Sequence, residues 1–327
     1  MPTPSPAPYD AAVIGGGPAG LSAAVWLGRY LHRVVLIDSG DPRNWETRGV
    51  NGFLGLSDIR PAQLREAGRD ECRKYDVTLI DAMVDTVSCE GPDEFHLGLS
   101  DPPAAPALET QPPSPPRLII AKRMLLAIGL KDVWPDIPGL GHVYGQSAHV
   151  CPDCDGYDTR GKKTVILGAG RKAVGMALNL SCWTSELMIV TNGEPAGMDQ
   201  SEYCSKLDAL NIPVLTDRVL KVTSRDGRVA SLELEDGKCL DVDKLFFAIG
   251  QYPADDLGAQ LGCARDDEGH VIVDDHYHTS VTNVWAAGDI VPGPQLAIAA
   301  AADGAMAALA LHKSLVDAGK KLEPATA

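Results

Sequence analysis

Two cysteines three positions apart, Cys151 and Cys154, stand in the run Cys-Pro-Asp-Cys-Asp-Gly at residues 151–156. Thiols at this spacing can close a small disulfide ring at the start of a helix or turn. A helix N-terminus there would lower a thiol pKa and favour the thiolate, the form that attacks disulfides. Exchange also needs a resolving thiol within reach and somewhere for two electrons to go. Asp155, next to Cys154, is of the type that moves a proton on and off sulfur. A structural disulfide or half of a zinc site would use the same pair. Zinc would want another close Cys/His pair, and the rest of the eight cysteines are scattered singly. The pattern points to redox chemistry, with no metal ligands.

Such chemistry needs an electron carrier, and a glycine-rich turn lies far upstream. Residues 9–14 form a short apolar strand running into Gly15-Gly16-Gly17-Pro18-Ala19-Gly20. A helical segment follows at 21–31, then a second strand at 33–37 ending at Asp38. In this context Gly15 permits the tight turn and Gly17 lets the backbone approach a pyrophosphate. Ala19 belongs to the same turn, and Gly20 lets helix and strand pack closely. The phosphates would sit at the helix N-terminus. Asp38, about twenty residues on, is where a carboxylate accepts hydrogen bonds from an adenosine ribose.

Just after the dithiol the pattern begins again. A strand at 163–167 runs into Gly168-Ala169-Gly170-Arg171-Lys172-Ala173, followed by a helix at 174–182 and a strand at 187–190. Gly168, Gly170 and Ala173 are therefore candidates for a second nucleotide. Residues 244–250 match 125–129, so each half has a strand running into a glycine, Gly129 or Gly250, able to pass close to bound nucleotide. Residues 281–287 lead into Gly288-Asp289, which offers a close backbone and a carboxylate to a sugar-like hydroxyl. An alanine-rich helix spans 295–315, and its first amides could stabilise negative charge on a reduced ring. The expected fold class is α/β, with two doubly wound Rossmann-like nucleotide-binding domains, the second inserted into the first.

The 327 residues suffice for about two domains. A net charge of -15 argues against nucleic acid or anionic membrane surfaces as partners. No apolar run reaches the roughly 18 to 20 residues of a membrane span. The start lacks a basic n-region and an apolar h-region, and the cysteine content is not that of a secreted scaffold. A cytoplasmic protein is expected. Residues 1–8 are proline-rich and read as a disordered tail. Residues 40–60 read either as a loop wrapping the cofactor or as a surface excursion. The dense prolines of 101–117 exclude helix and central strand, leaving an extended loop between two strands.

Two nucleotide folds, a dithiol opening the second and a late Gly-Asp together resemble the low-molecular-weight thioredoxin reductase family, from residue 9 to residue 315. The resemblance implies an FAD-binding domain at 9–143 and 275–327, with a dithiol and pyridine-nucleotide domain inserted at 144–274. It implies that Gly15, Gly17, Gly20 and Asp38 hold the FAD pyrophosphate and ribose, and Asp289 the ribityl chain, with Ala19, Gly129, Gly288 and Gln295 alongside. It further implies that Cys154 lies against the flavin, that Cys151 attacks the external disulfide and that Asp155 acts as acid–base. A homodimer and a domain swing are implied as well, with a thioredoxin-like protein or a small disulfide or dithiol as partner.

Three departures stand out. NADPH-using relatives carry a basic cluster after the second strand of the inserted domain, whereas 191–197 reads Thr-Asn-Gly-Glu-Pro-Ala-Gly, without one basic residue. Pro294, not arginine, precedes Gln295, and Pro152-Asp153 replaces the common Ala-Thr. Such losses resemble subgroups reduced by ferredoxin or another source, or running in reverse. The leading expectation is a flavin-dependent disulfide oxidoreductase whose NAD(P)H use is in doubt. The runner-up is an FAD-dependent dithiol oxidase using oxygen, and a reading of another class is a non-catalytic redox sensor.

Overall fold

The computed structural model describes residues 7–44, 47–101, 117–195, 201–248 and 250–320. Most of the expected tail (residues 1–6), nearly all of the proline-rich loop (102–116) and the end of the 191–197 loop lie outside the described residues. The chain divides into two units. One comprises residues 1–45, 62–131 and 252–327, the other 46–61 and 132–251.

The first unit is built on a five-stranded parallel sheet. Its order is Val284–Ala286, Met124–Leu126, Ala11–Ile14, Val34–Asp38, Thr78–Asp81. Successive strand residues face opposite sides, and here both sides are covered. Ala12 and Ile14 join one buried cluster while Ala11 and Val13 join another, which is why these strands are apolar without alternation. Each large side chain so buried contributes roughly 1.5–3 kcal/mol. The helices Pro18–Arg29 and Ala297–Leu315 pack on the second of these faces. A three-stranded antiparallel sheet, Met83–Gly91, Glu94–Ser100 and Arg117–Ala121, completes the unit.

The second unit repeats the plan. Its parallel sheet runs Val214–Leu215, Leu187–Val190, Thr164–Leu167, Lys244–Phe247, Ala148–His149. An antiparallel sheet of Val219–Arg225, Arg228–Leu234 and Cys239–Asp241 accompanies it. Strand order therefore matches between units, with Ala148–His149 standing where Val284–Ala286 stands in the first. The helix after the second glycine turn is Gly170–Leu180, four residues earlier than the expected 174, because the turn itself is its first turn. The last helix starts at Ala297, since Pro294 removes an amide and Leu296 is extended. Residues 46–61, the greater part of the glycine-punctuated loop, group with the second unit.

Asp255, in the first unit, is half-buried, and burial pushes its carboxyl up to about 6, the neighbouring Asp256 adding to the effect. The Leu257 amide donates to its Oδ1 at 3.0 Å and opposes the shift. A carboxyl raised in the folded state binds more protons there than in the unfolded chain between about pH 4 and 6. Stability is therefore lost as pH rises through that window. Asp255→Asn keeps an acceptor for Leu257 and removes the buried charge. It should stabilise the protein by on the order of 1–3 kcal/mol at pH 7.5 and by little at pH 4, read from denaturant melts at both pH values.

Candidate active site

Cys151 and Cys154 form a disulfide with their Cα atoms 5.3 Å apart. The edge strand Ala148–His149 delivers them to the carboxyl end of the second sheet, where open α/β sheets bind their ligands. Cys151 is the N-cap of a single helical turn, Pro152–Asp155, with Pro152 at its first position. Proline suits that position because its missing amide would have no helical partner there. The Cys154 amide donates to the Cys151 sulfur at 3.1 Å, a donor that favours negative charge on this sulfur once the bond is opened.

The turn is held from several sides. Asn179 donates to the Asp153 carboxylate at 2.9 Å. Gly156 packs against Trp183 so closely that a Cβ would come within 2.6 Å of the ring. Asn51, from the loop at 47–61, donates to the Cys154 carbonyl at 3.1 Å and approaches Asp155 Oδ1 at 3.4 Å. Asp155 is only 14% exposed, and its Oδ2 lies 3.3 Å from Nδ1 of the buried His149. His149 Nε2 in turn lies 3.3 Å from the Lys244 ammonium. Burial pushes the Lys244 amine down, against the pull of Asp158 and Asp155. Cys151, Cys154 and Asp155 thus share one helical turn. Asn51, His149, Asn179 and Lys244 were not foreseen.

In the first unit the glycine turn joins Ala11–Ile14 to the helix Pro18–Arg29. Gly15 has φ +108°, and a Cβ there would stand 2.3 Å from the Ala127 carbonyl oxygen. A Cβ on Gly20 would stand 1.9 Å from the Gly15 carbonyl oxygen. A Cβ on Gly17 would meet nothing within 4 Å, and no side chain caps the helix amides above it. Ala19 packs beneath Gly288 and against Gly304 of the last helix, where a Cβ would lie 2.0 Å from the Ala19 carbonyl oxygen. Asp38, buried at the end of its strand, accepts from the Gly40 amide at 3.1 Å and pairs with Arg65 and, at 3.4 Å, Arg69. Arg43 brings two more expected residues together, donating to Asp289 at 3.1 Å and to Gln295 at 2.8 Å. Gly129 has φ +69°, with open space where its side chain would be.

A model of the pyridine nucleotide-disulphide oxidoreductase family matches residues 9–304. The chain belongs to that family. Thioredoxin reductase tcpT of Claviceps purpurea is 30% identical over 289 residues, with 86% of each chain covered. The crystal structure of HlmI superposes with a TM-score of 0.84 at 32% identity, covering 94% of this chain and 92% of the other. That of TrxB from Bacillus anthracis gives 0.83 at 28% identity, covering 94% and 98%. The chain is a thioredoxin reductase-like, FAD-dependent oxidoreductase. No helix among the described residues is long and apolar enough to cross a membrane.

The first turn of this family member fits FAD on its own geometry. Gly15 and Gly20 are required by the fold itself, whereas nothing among the described residues excludes a side chain from Gly17. A bare backbone facing open space beneath uncapped helix amides is what a pyrophosphate needs. The second turn is similar but not equal. Gly168 has φ +145° and abuts Ala248, Gly170 has φ +64° and open space, and the third glycine position is the buried Ala173. Thr191 donates to the Glu194 carbonyl at 2.7 Å, and Asn192 accepts from the Val219 amide at 2.8 Å. That bond draws Arg218 alongside Gly193, whose Cβ would be 3.7 Å from that of Arg218. The stem of an arginine thus starts beside this loop although the loop itself has no basic residue.

Gly17→Ala should leave thermal stability of the apoprotein unchanged while lowering flavin content. Gly20→Ala should lower both. Melting curves on apoprotein, beside the absorbance of protein as purified, separate the two.

Proposed function

We propose that the protein is a disulfide oxidoreductase of thioredoxin reductase type, exchanging electrons between FAD, the Cys151–Cys154 pair and an external disulfide. The observation that carries this reading is the closed Cys151–Cys154 disulfide, with the next residue, Asp155, held by His149 and Asn51. In this reading the first unit is the FAD-binding domain and the second the dithiol domain. Gly15, Gly17, Gly20, Asp38, Gly129, Gly288, Asp289 and Gln295 hold the cofactor. FAD supplies a two-electron store that can reduce, or be reduced by, the dithiol.

The remaining steps belong to the protein. Cys151, with the Cys154 amide on its sulfur, attacks the external disulfide, and Cys154 resolves the mixed disulfide. Asp155 takes the proton from each attacking thiol and gives it to each leaving thiolate. A thioredoxin-like protein is the substrate that the relatives' names suggest. The protein acts as a cytoplasmic homodimer in this reading.

The electron donor follows from charge. A 2′-phosphate favours paired cations, and Arg218 beside Gly193 is balanced by Glu194 in the same loop. Each charge-assisted contact is worth roughly 1.5–3 kcal/mol. NADPH and NADH should therefore reduce the flavin at rates within about tenfold of each other, and more slowly than reduced ferredoxin or a dithiol. Anaerobic single-turnover mixing at equal donor concentrations reads this at the flavin absorbance. Fast, saturable, NADPH-selective reduction would overturn it. Oxygen uptake driven by a dithiol would instead mark an oxidase.

For the thiols, Cys154→Ser should hold substrate as a stable mixed disulfide on Cys151, while Cys151→Ser should not. Intact mass after mixing with a reducible partner shows which does.

A further inference from the structure

Beside the dithiol lies a buried chain of three polar groups on three different elements. His149 sits on the edge strand and is 7% exposed. Its Nδ1 faces Asp155 Oδ2 and its Nε2 faces Lys244 Nζ, both at 3.3 Å. The pairing of Phe246 with His149 sets this up. Lys244 and Phe246 lie two apart on their strand and so share a face, which brings the lysine and the Phe246 ring, 5.5 Å away, to the imidazole. Such a group, half enclosed by apolar side chains, needs its hydrogen bonds made.

The donor roles follow from the neighbours. An ammonium can only donate, so against it Nε2 accepts, and the ring proton is on Nδ1. That proton-bearing nitrogen lies 3.3 Å from Asp155 Oδ2, within ion-pair distance. Asn51 donates to the other oxygen, Oδ1, at 3.4 Å, so the carboxylate is held at both oxygens, by an amide on one and the imidazole on the other.

We propose that His149, backed by Lys244, is a positioning residue for proton transfer by Asp155 during thiol–disulfide exchange. The inference rests on the acid–base role assigned to Asp155 in the preceding section. The step balances within the protein and its substrate. Cys151 gives its proton to Asp155, its sulfur bonds one substrate sulfur, the substrate S–S bond breaks, and the leaving thiolate takes the proton from Asp155. Cys154 then gives its proton to Asp155 and attacks Cys151 sulfur, and the second substrate thiolate takes that proton. Two electrons pass from dithiol to substrate, and two protons accompany them. His149 keeps Asp155 aimed through both transfers and neither gains nor loses a proton overall.

A basic leaving thiolate needs that proton, whereas a weakly basic aromatic thiolate leaves without it. The holoenzyme, reduced with dithiothreitol and desalted anaerobically, is mixed with bis(2-hydroxyethyl) disulfide or with 5,5′-dithiobis(2-nitrobenzoate). His149→Leu should slow reaction with the alkyl disulfide by on the order of tenfold or more and leave the aromatic one within about twofold. His149→Asn, which can donate to Asp155 through its amide, should restore much of the alkyl rate. Equal slowing with both disulfides, or slowing with neither, overturns the proposal. Asp155→Asn is the control for the underlying reading. If it does not discriminate between the disulfides, the delivery of a proton by Asp155 to the leaving thiolate falls. If it discriminates and His149→Leu does not, only the role of His149 falls. Should His149→Leu fail to fold, Lys244→Met is judged by the same criterion.

Discussion

The pairing of the two-residue strand Ala148–His149 with Lys244–Phe247 is the contact on which the dithiol site depends. The Leu245 amide donates to the Ser147 carbonyl at 2.8 Å, and the Ser147 hydroxyl accepts from the Val229 amide at 2.8 Å. Ser147 thereby ties the edge strand to both sheets of its unit. A parallel register sends the chain out at the carboxyl end of the sheet, and the next residues are the dithiol. The same register places His149 beside Lys244 before either meets Asp155. In the first unit Val284–Ala286 holds the equivalent edge and leads into Gly288 and Asp289. One architectural position therefore carries a cofactor-type carboxylate in one unit and the redox pair in the other.

The glycines divide by what excludes a side chain from them. Gly15, Gly20 and Gly304 face carbonyl oxygens at distances no Cβ can occupy, so the packing of the first and last helices demands them. Gly17 and Gly129 face open space. In the second unit Ala173 takes the place of Gly20 and is fully buried. A methyl group is tolerated there, so helix and strand meet less closely at the second turn than at the first.

Charge is arranged with equal economy. A buried carboxylate requires partners, and Asp38 has Arg65 and Arg69, while the partly buried Asp289 has Arg43. Arg43 also binds Gln295, so one cation spans two segments of the first unit. The carboxylates could be picked out from strand ends. Their cations come from a helix and a loop whose sequence carries no comparable signature.

By itself the sequence determined the repeat, the α/β class, the two glycine turns, the dithiol with its carboxylate and the family. These are local signals: apolar strand, glycine spacing, acidic strand end and CxxC are each set by backbone sterics within a few residues. Tertiary structure alone decided the rest. Nothing near Cys151 in sequence points to Lys244, 95 positions from His149, because only strand pairing makes them neighbours. His149 stands two residues from the motif, yet one histidine has many roles until its partners are known. The loop at 46–61 joined the dithiol unit through the Asn51 bonds, and Arg218 reached the cation-free loop through the Asn192 bond to Val219. Contacts made across a sheet or between loops depend on register and approach, and a linear pattern encodes neither.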